Sequence, residues 1–256
     1  MKSYFFRIVC LCNLLMLVAC AQNGGEHSVD VPFDKISRNT SVSLTGEEGS
    51  PRCSFDINID VAKGVGVADS VNRAVAGILW SYAPLSLDAA VDSFVAVRSE
   101  DYKNDCGGFY VADKRDGVEL DKRLYSYSYA FSSEVFSEKE GVLTYKLIFV
   151  RYEGGKNSVR TETYLNFDAK TGHLITVKDI LGECTEREVE AKLMNALLEK
   201  TECRDVHELR EADYLANGEI FVPRNFIITD KSVTFVYNEG EIAPFEKGII
   251  VLDILL

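Results

Sequence analysis

"YSYSYAFSSEVFSEKEGVLTYKLIFVRYEGGKNSVRTETYLNFD", Tyr125 to Asp168, alternates large apolar with small or polar side chains in three runs, broken at Lys139–Gly141 and at Gly154-Gly155-Lys156-Asn157. A two-residue period is that of a strand with one buried face. Short turn clusters between such runs predict antiparallel neighbours. The stretch therefore reads as three consecutive strands. A phosphate loop would need its glycines between a strand and a helix N-terminus, whereas Gly154-Gly155 joins two strands. The pair is a hairpin connection.

Downstream, Asp168 to Gly172 makes another turn, and Thr176 with Asp179 opens a short helical turn. Thr185 with Glu188 then forms a capping box for a helix that turns Val189, Leu193, Ala196 and Leu197 to the core. Upstream, Cys53, Phe55, Ile57, Ile59 and Val61 alternate with polar residues, which predicts a half-buried strand. Val71, Val75, Ile78 and Leu79, then Leu87, Val91, Phe94 and Val95, follow at helical spacing, with Ser86 placed as an N-cap. Tyr125, Tyr127, Tyr129 and Phe131 fall on one strand face. Tyrosine rings offer flat apolar faces with a polar tip, so Tyr125, Tyr127 and Tyr129 form a possible glycan-stacking stripe; packing against a core is the competing reading.

The N-terminus places the chain in the cell. Lys2 and Arg7 precede an apolar run from Ile8 to Ala19, and "LVAC" closes it at Cys20. This pattern is a secretory signal ending in a lipobox, with Cys20 the lipid-attachment residue. The apolar run is too short for the roughly 20 residues that span a bilayer. The expected localisation is an exported, membrane-anchored lipoprotein. Ala21 after the lipidated cysteine resembles enteric sorting signals for the outer membrane, with the face left open. Residues 1–19 are read as the signal peptide and 20–52, rich in Gly, Ser, Asn and Glu, as a lipidated flexible tether. Residues 53–121 form a strand-helix-helix region and 122–256 a C-terminal domain.

The chain of 256 residues carries 28 Lys plus Arg and 40 Asp plus Glu. Loss of Lys2 and Arg7 with the signal leaves a net charge of −14. Such a field repels nucleic acid and draws in a cationic partner from about a Debye length of 8 Å. Of seven cysteines, Cys53, Cys106, Cys184 and Cys203 remain as thiols after processing. Cys184 and Cys203 bracket a helix of about 16 residues, which holds its ends roughly 24 Å apart, too far for a disulfide. Cys53 with Cys106 is open as a bridge or as two buried thiols.

Four separated motifs carry a family resemblance. They are Phe149-x-x-Tyr152-x-Gly154-Gly155, Asn166-Phe167-Asp168-x-x-Thr171-Gly172, Lys178-Asp179, and Tyr237-x-x-x-Glu241-Ile242-Ala243-Pro244-Phe245-x-x-Gly248. In order and spacing they resemble the C-terminal domain of RsiV-like proteins, over about Tyr125 to Leu256. That resemblance implies kinship with the extracellular parts of lysozyme-binding anti-sigma factors, with regions attached to peptidoglycan deacetylases, and with exported lipoproteins. The family commonly continues the first motif as Gly-Gly-Ala-His, where this chain has Lys156-Asn157, so no role for that histidine transfers. Tyr152, Gly154, Gly155, Asp168, Gly172, Asp179, Tyr237, Glu241, Pro244 and Gly248 are read as motif residues with structural roles.

No H-E-x-x-H or G-x-S-x-G motif occurs. Cys203 and His207 share a helix face but lack two further metal ligands, so no metal and no cofactor is expected. The expectation is an α+β fold with an antiparallel sheet packed by helices, preceded by a lipoprotein signal and flexible tether. Its expected function is non-catalytic binding at the cell envelope, to a cationic protein such as lysozyme or to a cell-wall component such as peptidoglycan. An enzyme or enzyme-accessory module acting on peptidoglycan or another envelope glycan is the alternative.

Overall fold

A computed structural model describes residues 30–80, 86–216 and 218–255. The signal and Cys20 lie outside the described residues. Among those described, no helix is long and apolar enough to cross a membrane. The fold is α+β: two sheets, each with its own helical cover.

The larger sheet has six strands in the order β1 (Phe33–Ser43), β2 (Arg52–Ala62), β3 (Tyr127–Phe136), β4 (Val142–Glu153), β5 (Val159–Asp168) and β6 (Leu174–Ile175). The three-strand stretch pairs as its alternation requires, with Phe131 opposite Phe149 and Phe149 opposite Thr161. In β2, Cys53, Phe55, Ile57 and Ile59 are buried and the residues between them are exposed or half-buried. β2 pairs with β3 in parallel, with Phe55 opposite Tyr129. Parallel neighbours need a long crossover, and α1 (Val67–Leu79) and α2 (Leu87–Arg115) supply it. Val71, Val75 and Leu79 of α1 and Leu87, Val91, Phe94, Tyr102, Cys106 and Tyr110 of α2 lie at turn spacing and close one core on the sheet.

Three expectations are corrected here. Residues 33–43, assigned to the tether, form β1, paired along its whole length with β2. Its polar composition is that of a sheet-edge strand with only Ile36 fully inward. The boundary drawn between 121 and 122 is crossed by the β2–β3 pairing, so the strand-helix-helix region and the first C-terminal strands share one sheet. The tyrosine stripe is packing, not a stacking surface. Tyr129 is 2% exposed, with rings of Phe55 and Phe149 stacked on it at 5.5 and 6.3 Å. Tyr127 lies 5.2 Å from Tyr102, and Tyr125, in a 3-10 turn before β3, lies 5.3 Å from Tyr110. Tyr129, Tyr127 and Tyr125 meet Phe94, Tyr102 and Tyr110, spaced about two helical turns apart along α2, so the stripe is packed between sheet and helix.

The smaller sheet is β7 (Phe226–Ile228), β8 (Val233–Tyr237) and β9 (Ile250–Ile254), all antiparallel. Helices α3 (Val177–Leu181), α4 (Glu186–Thr201) and α5 (Val206–Glu211) precede it. Both capping boxes form: Thr176 with Asp179, and Thr185 with Glu188. Val189, Leu193 and Leu197 of α4 are fully buried in a second core with Phe226, Phe235 and Tyr237. Each large apolar side chain so buried contributes about 1.5–3 kcal/mol. All four described cysteines are free thiols. Burial pushes the Cys53 thiol up to about 12.

Candidate functional site

The opening three-strand stretch ends at a broad groove of ≈ 700 Å³. Three β-turns converge on it. The β3–β4 turn brings Lys139, the β5–β6 turn brings Asp168, Thr171 and His173, and the β7–β8 turn brings Thr229 to Ser232. Backbone bonds tie the turns together: Ala169 N–H donates to Gly141 C=O at 2.8 Å, and Asp230 N–H to Glu138 C=O at 3.1 Å. Asp179 and Ile180 at the start of α3 complete one wall.

The sequence motifs fix the first of these walls. Asp168 Oδ1 accepts from the N–H groups of Lys170 and Thr171, at 3.0 and 2.7 Å, and from Thr171 Oγ1 at 2.8 Å. Gly172 follows at φ 74, and a side chain there would bring Cβ to 2.9 Å from Val67 Cα. Only glycine suits both the φ and the approach to α1. Asp179 Oδ2 accepts from Thr176 N and Oγ1, each at 2.7 Å, and lies 3.5 Å from His173 Nε2. Hydrogen bonds from the Thr171 hydroxyl and turn N–H groups hold the Asp168 carboxyl below the usual carboxylate range. The Thr176 hydroxyl and N–H do the same for Asp179. The groove hydroxyls are engaged as well: Thr171 with Asp168, and Thr229 with Ser232 at 3.0 Å.

The remaining motif residues are brought to two other places. Tyr152 Oη lies 3.1 Å from the carbonyls of Arg123 and Gly155. Gly154, at φ 77, backs onto Leu124, where a Cβ would sit 2.7 Å from the carbonyl oxygen. The first motif therefore clamps the 3-10 turn that leads into β3. In the fourth motif, Tyr237 donates to Phe221 C=O at 2.6 Å, and Glu241 accepts from Asn238 N–H at 2.8 Å. Burial pushes the Glu241 carboxyl up. Pro244 leads into the 3-10 turn Phe245–Lys247, and Gly248 closes it at φ 70. The expectation that Cys203 and His207 share a helix face is corrected: His207 is in α5 and faces Glu211 at 3.7 Å, whereas Cys203 lies between α4 and α5 with Sγ 3.8 Å from Thr201 C=O. Among the described residues no group of three or more His, Cys, Asp or Glu could hold a metal ion.

Sequence reasoning missed Lys139 and the 229–232 turn as partners in the groove. "TDKS" at 229–232 has turn composition, but nothing in it says which other turn it meets.

Fold and groove together define a two-sheet α+β module whose shared motifs are turn-forming. Residues 178–255 match the family described as "Protein of unknown function (DUF3298)". The chain is similar in fold to a crystal structure of a DUF3298 family member from Bacteroides fragilis, at 22% identity and TM-score 0.77, covering 88% of this chain and 90% of that one. It is also similar to a DUF3298 family protein from Pseudomonas aeruginosa, at 16% identity and TM-score 0.57, covering 89% and 93%. No curated protein matches the sequence.

Proposed function

We propose that this chain is a non-catalytic binding module of the cell envelope, held to a membrane through lipid on Cys20, whose partner is a cationic protein such as lysozyme. The observation that carries the non-catalytic part is the state of the groove carboxylates. General acid-base work needs a carboxyl poised near the working pH, whereas Asp168 and Asp179 are both held low by the turns they build. Asp168 Oδ1 and Asp179 Oδ2 are spent on the turns they build, which fits residues that shape a surface. The partner class follows from charge. The mature chain carries −14, and Glu183, Glu186, Glu199, Glu202, Glu211 and Asp213 stand exposed around α4 and α5. Opposite charge raises encounter rates and sets partner choice. The four-motif resemblance to RsiV-like domains supports the same reading, and the lipobox supports the location.

The test is a pull-down with the full-length protein in neutral-lipid vesicles, from envelope extract and from lysozyme-containing secretions. The reading expects a basic protein retained at low salt and released as salt rises. Retention of glycan fragments alone, or release of new reducing ends from peptidoglycan, would replace it with a glycan-directed activity.

A further inference from the structure

The large sheet ends at β1, a strand of 11 residues that pairs with β2 on one side. The register decides which of its backbone groups face outward. Just beyond the two ends of the strand, Leu44 N–H donates to Pro51 C=O at 3.0 Å and Lys63 N–H donates to Pro32 C=O at 2.8 Å. Both pairs continue the β1–β2 register, so the even-numbered residues of β1 turn their N–H and C=O groups to β2. In an antiparallel ladder the residues between them point theirs the other way. Phe33, Lys35, Ser37, Asn39, Ser41 and Ser43 therefore make up the outer row.

Charged side chains fold back onto that row. Asp34 Oδ1 accepts from Lys35 N–H at 2.9 Å, and Arg38 Nη1 donates to Ser37 C=O at 3.1 Å. Arg52 of β2 donates through Nη2 to Ser41 C=O at 3.2 Å and to Ser41 Oγ at 2.8 Å. Each of these contacts falls on an outward-facing backbone group. Arg38 is also fixed from the helix side: Nε donates to Asp92 at 3.0 Å and Nη2 to Asp88 at 2.8 Å, both near the start of α2, so all three guanidinium nitrogens are engaged. Charge-assisted bonds are the stronger kind, and here they hold the guanidinium at the strand edge instead of out in water. An open edge is a template for a further strand. A second β1 would fit it, because two copies about a two-fold axis present the same strand to each other, antiparallel. With the Ser37 and Ser41 carbonyls taken, an incoming strand loses its acceptors on both sides of Asn39.

We propose that Arg38 and Arg52 keep the sheet edge closed and so prevent copies of this chain from joining β1 to β1. The device is separate from the motif groove and does not depend on the identity of the protein partner.

The experiment compares full-length proteins in a neutral detergent by sedimentation velocity over a range of concentrations, with circular dichroism to confirm folding. Physiological salt limits repulsion between the acidic copies to about 8 Å. Arg38→Ala with Arg52→Ala is expected to self-associate about tenfold more tightly than wild type, or more. Adding Asn39→Pro to that double variant is expected to reverse the gain, because proline at an outward-facing position of an edge strand removes an N–H that β2 does not use. Should the double variant fold poorly, Arg52→Ala alone carries the test: its hydrogen bonds all go to Ser41, and a shift in the same direction is expected. A folded variant that associates no more than wild type, or a gain in association that survives Asn39→Pro, would each overturn the proposal.

Discussion

The side-chain amide of Asn238 pairs with the backbone of Glu162 as a neighbouring strand would: Oδ1 accepts from Glu162 N–H at 2.7 Å, and Nδ2 donates to Glu162 C=O at 3.1 Å. Asn225 repeats the pattern, accepting from Tyr164 N–H at 2.8 Å and donating to Glu162 C=O at 2.9 Å. β6 covers only Asn166 and Phe167, so the rest of the β5 edge would otherwise be open. Two asparagines close it and join the sheets. Asn238→Ala leaves a half-buried N–H without its acceptor and is expected to destabilise the protein by about 1–3 kcal/mol. Denaturant unfolding measures it, and a midpoint unchanged from wild type would show that the edge does not rely on Asn238.

Glu162 also titrates usefully. Its burial penalises the ionised form, but bonds from Tyr164 Oη at 2.7 Å and from Arg160, with Lys146 at 3.4 Å, outweigh that and lower its pKa. A lowered folded-state pKa means the unfolded chain binds more protons in the interval below the ordinary carboxyl value. The contribution is therefore complete above that value and is lost as pH falls through the folded one. Melting temperature should drop as pH falls below about 4.3, the ordinary glutamate value, and part of that drop should be missing in Glu162→Gln, which starts lower at neutral pH. Parallel curves for the two proteins would contradict the assignment.

Gly154 and Gly155 look alike in sequence but differ in surroundings. Both have positive φ, at 77 and 92, yet an added Cβ meets the Leu124 carbonyl at 2.7 Å only at Gly154, with nothing within 4 Å at Gly155. Gly155→Ala should cost about 1 kcal/mol from backbone strain, and Gly154→Ala clearly more. Thermal melts of both variants decide this; equal losses would mean the close approach to Leu124 relaxes without cost.

What could be read from sequence divides along physical lines. Alternation and turn composition gave β3, β4 and β5, and the capping boxes at Thr176 and Thr185 gave two helix starts, because those signals are local. β1 was illegible since an edge strand needs only one apolar contact face, and Ile36 alone cannot mark a period. The parallel β2–β3 pairing and the length of α2 were hidden because both depend on contacts made far along the chain. Phe94, Tyr102 and Tyr110 are unremarkable in a charged helix until Tyr129, Tyr127 and Tyr125 are seen against them. The motif residues sit in turns and clamps, and that one of those turns, Asp168 to Gly172, meets the turns at Lys139 and at 229–232 in one groove is tertiary information.

The anchor makes a separate prediction. Replacing Cys20 by Ala removes the thiol that would be acylated, and the described part of the chain offers no helix able to span a membrane. The variant should incorporate no labelled fatty acid and should leave the membrane fraction or retain its signal. Equal labelling of wild type and Cys20→Ala would place the lipid elsewhere or remove it from the account.

The central claim, recognition of a cationic protein, is tested most directly by calorimetry of full-length protein in neutral vesicles against lysozyme, at low and at physiological salt, with solubilised peptidoglycan as the comparison. The account predicts saturable heat with lysozyme at low salt and an affinity that falls by about tenfold or more as the Debye length shrinks toward 8 Å. No heat with lysozyme at either salt, alongside salt-insensitive binding to peptidoglycan, would contradict it.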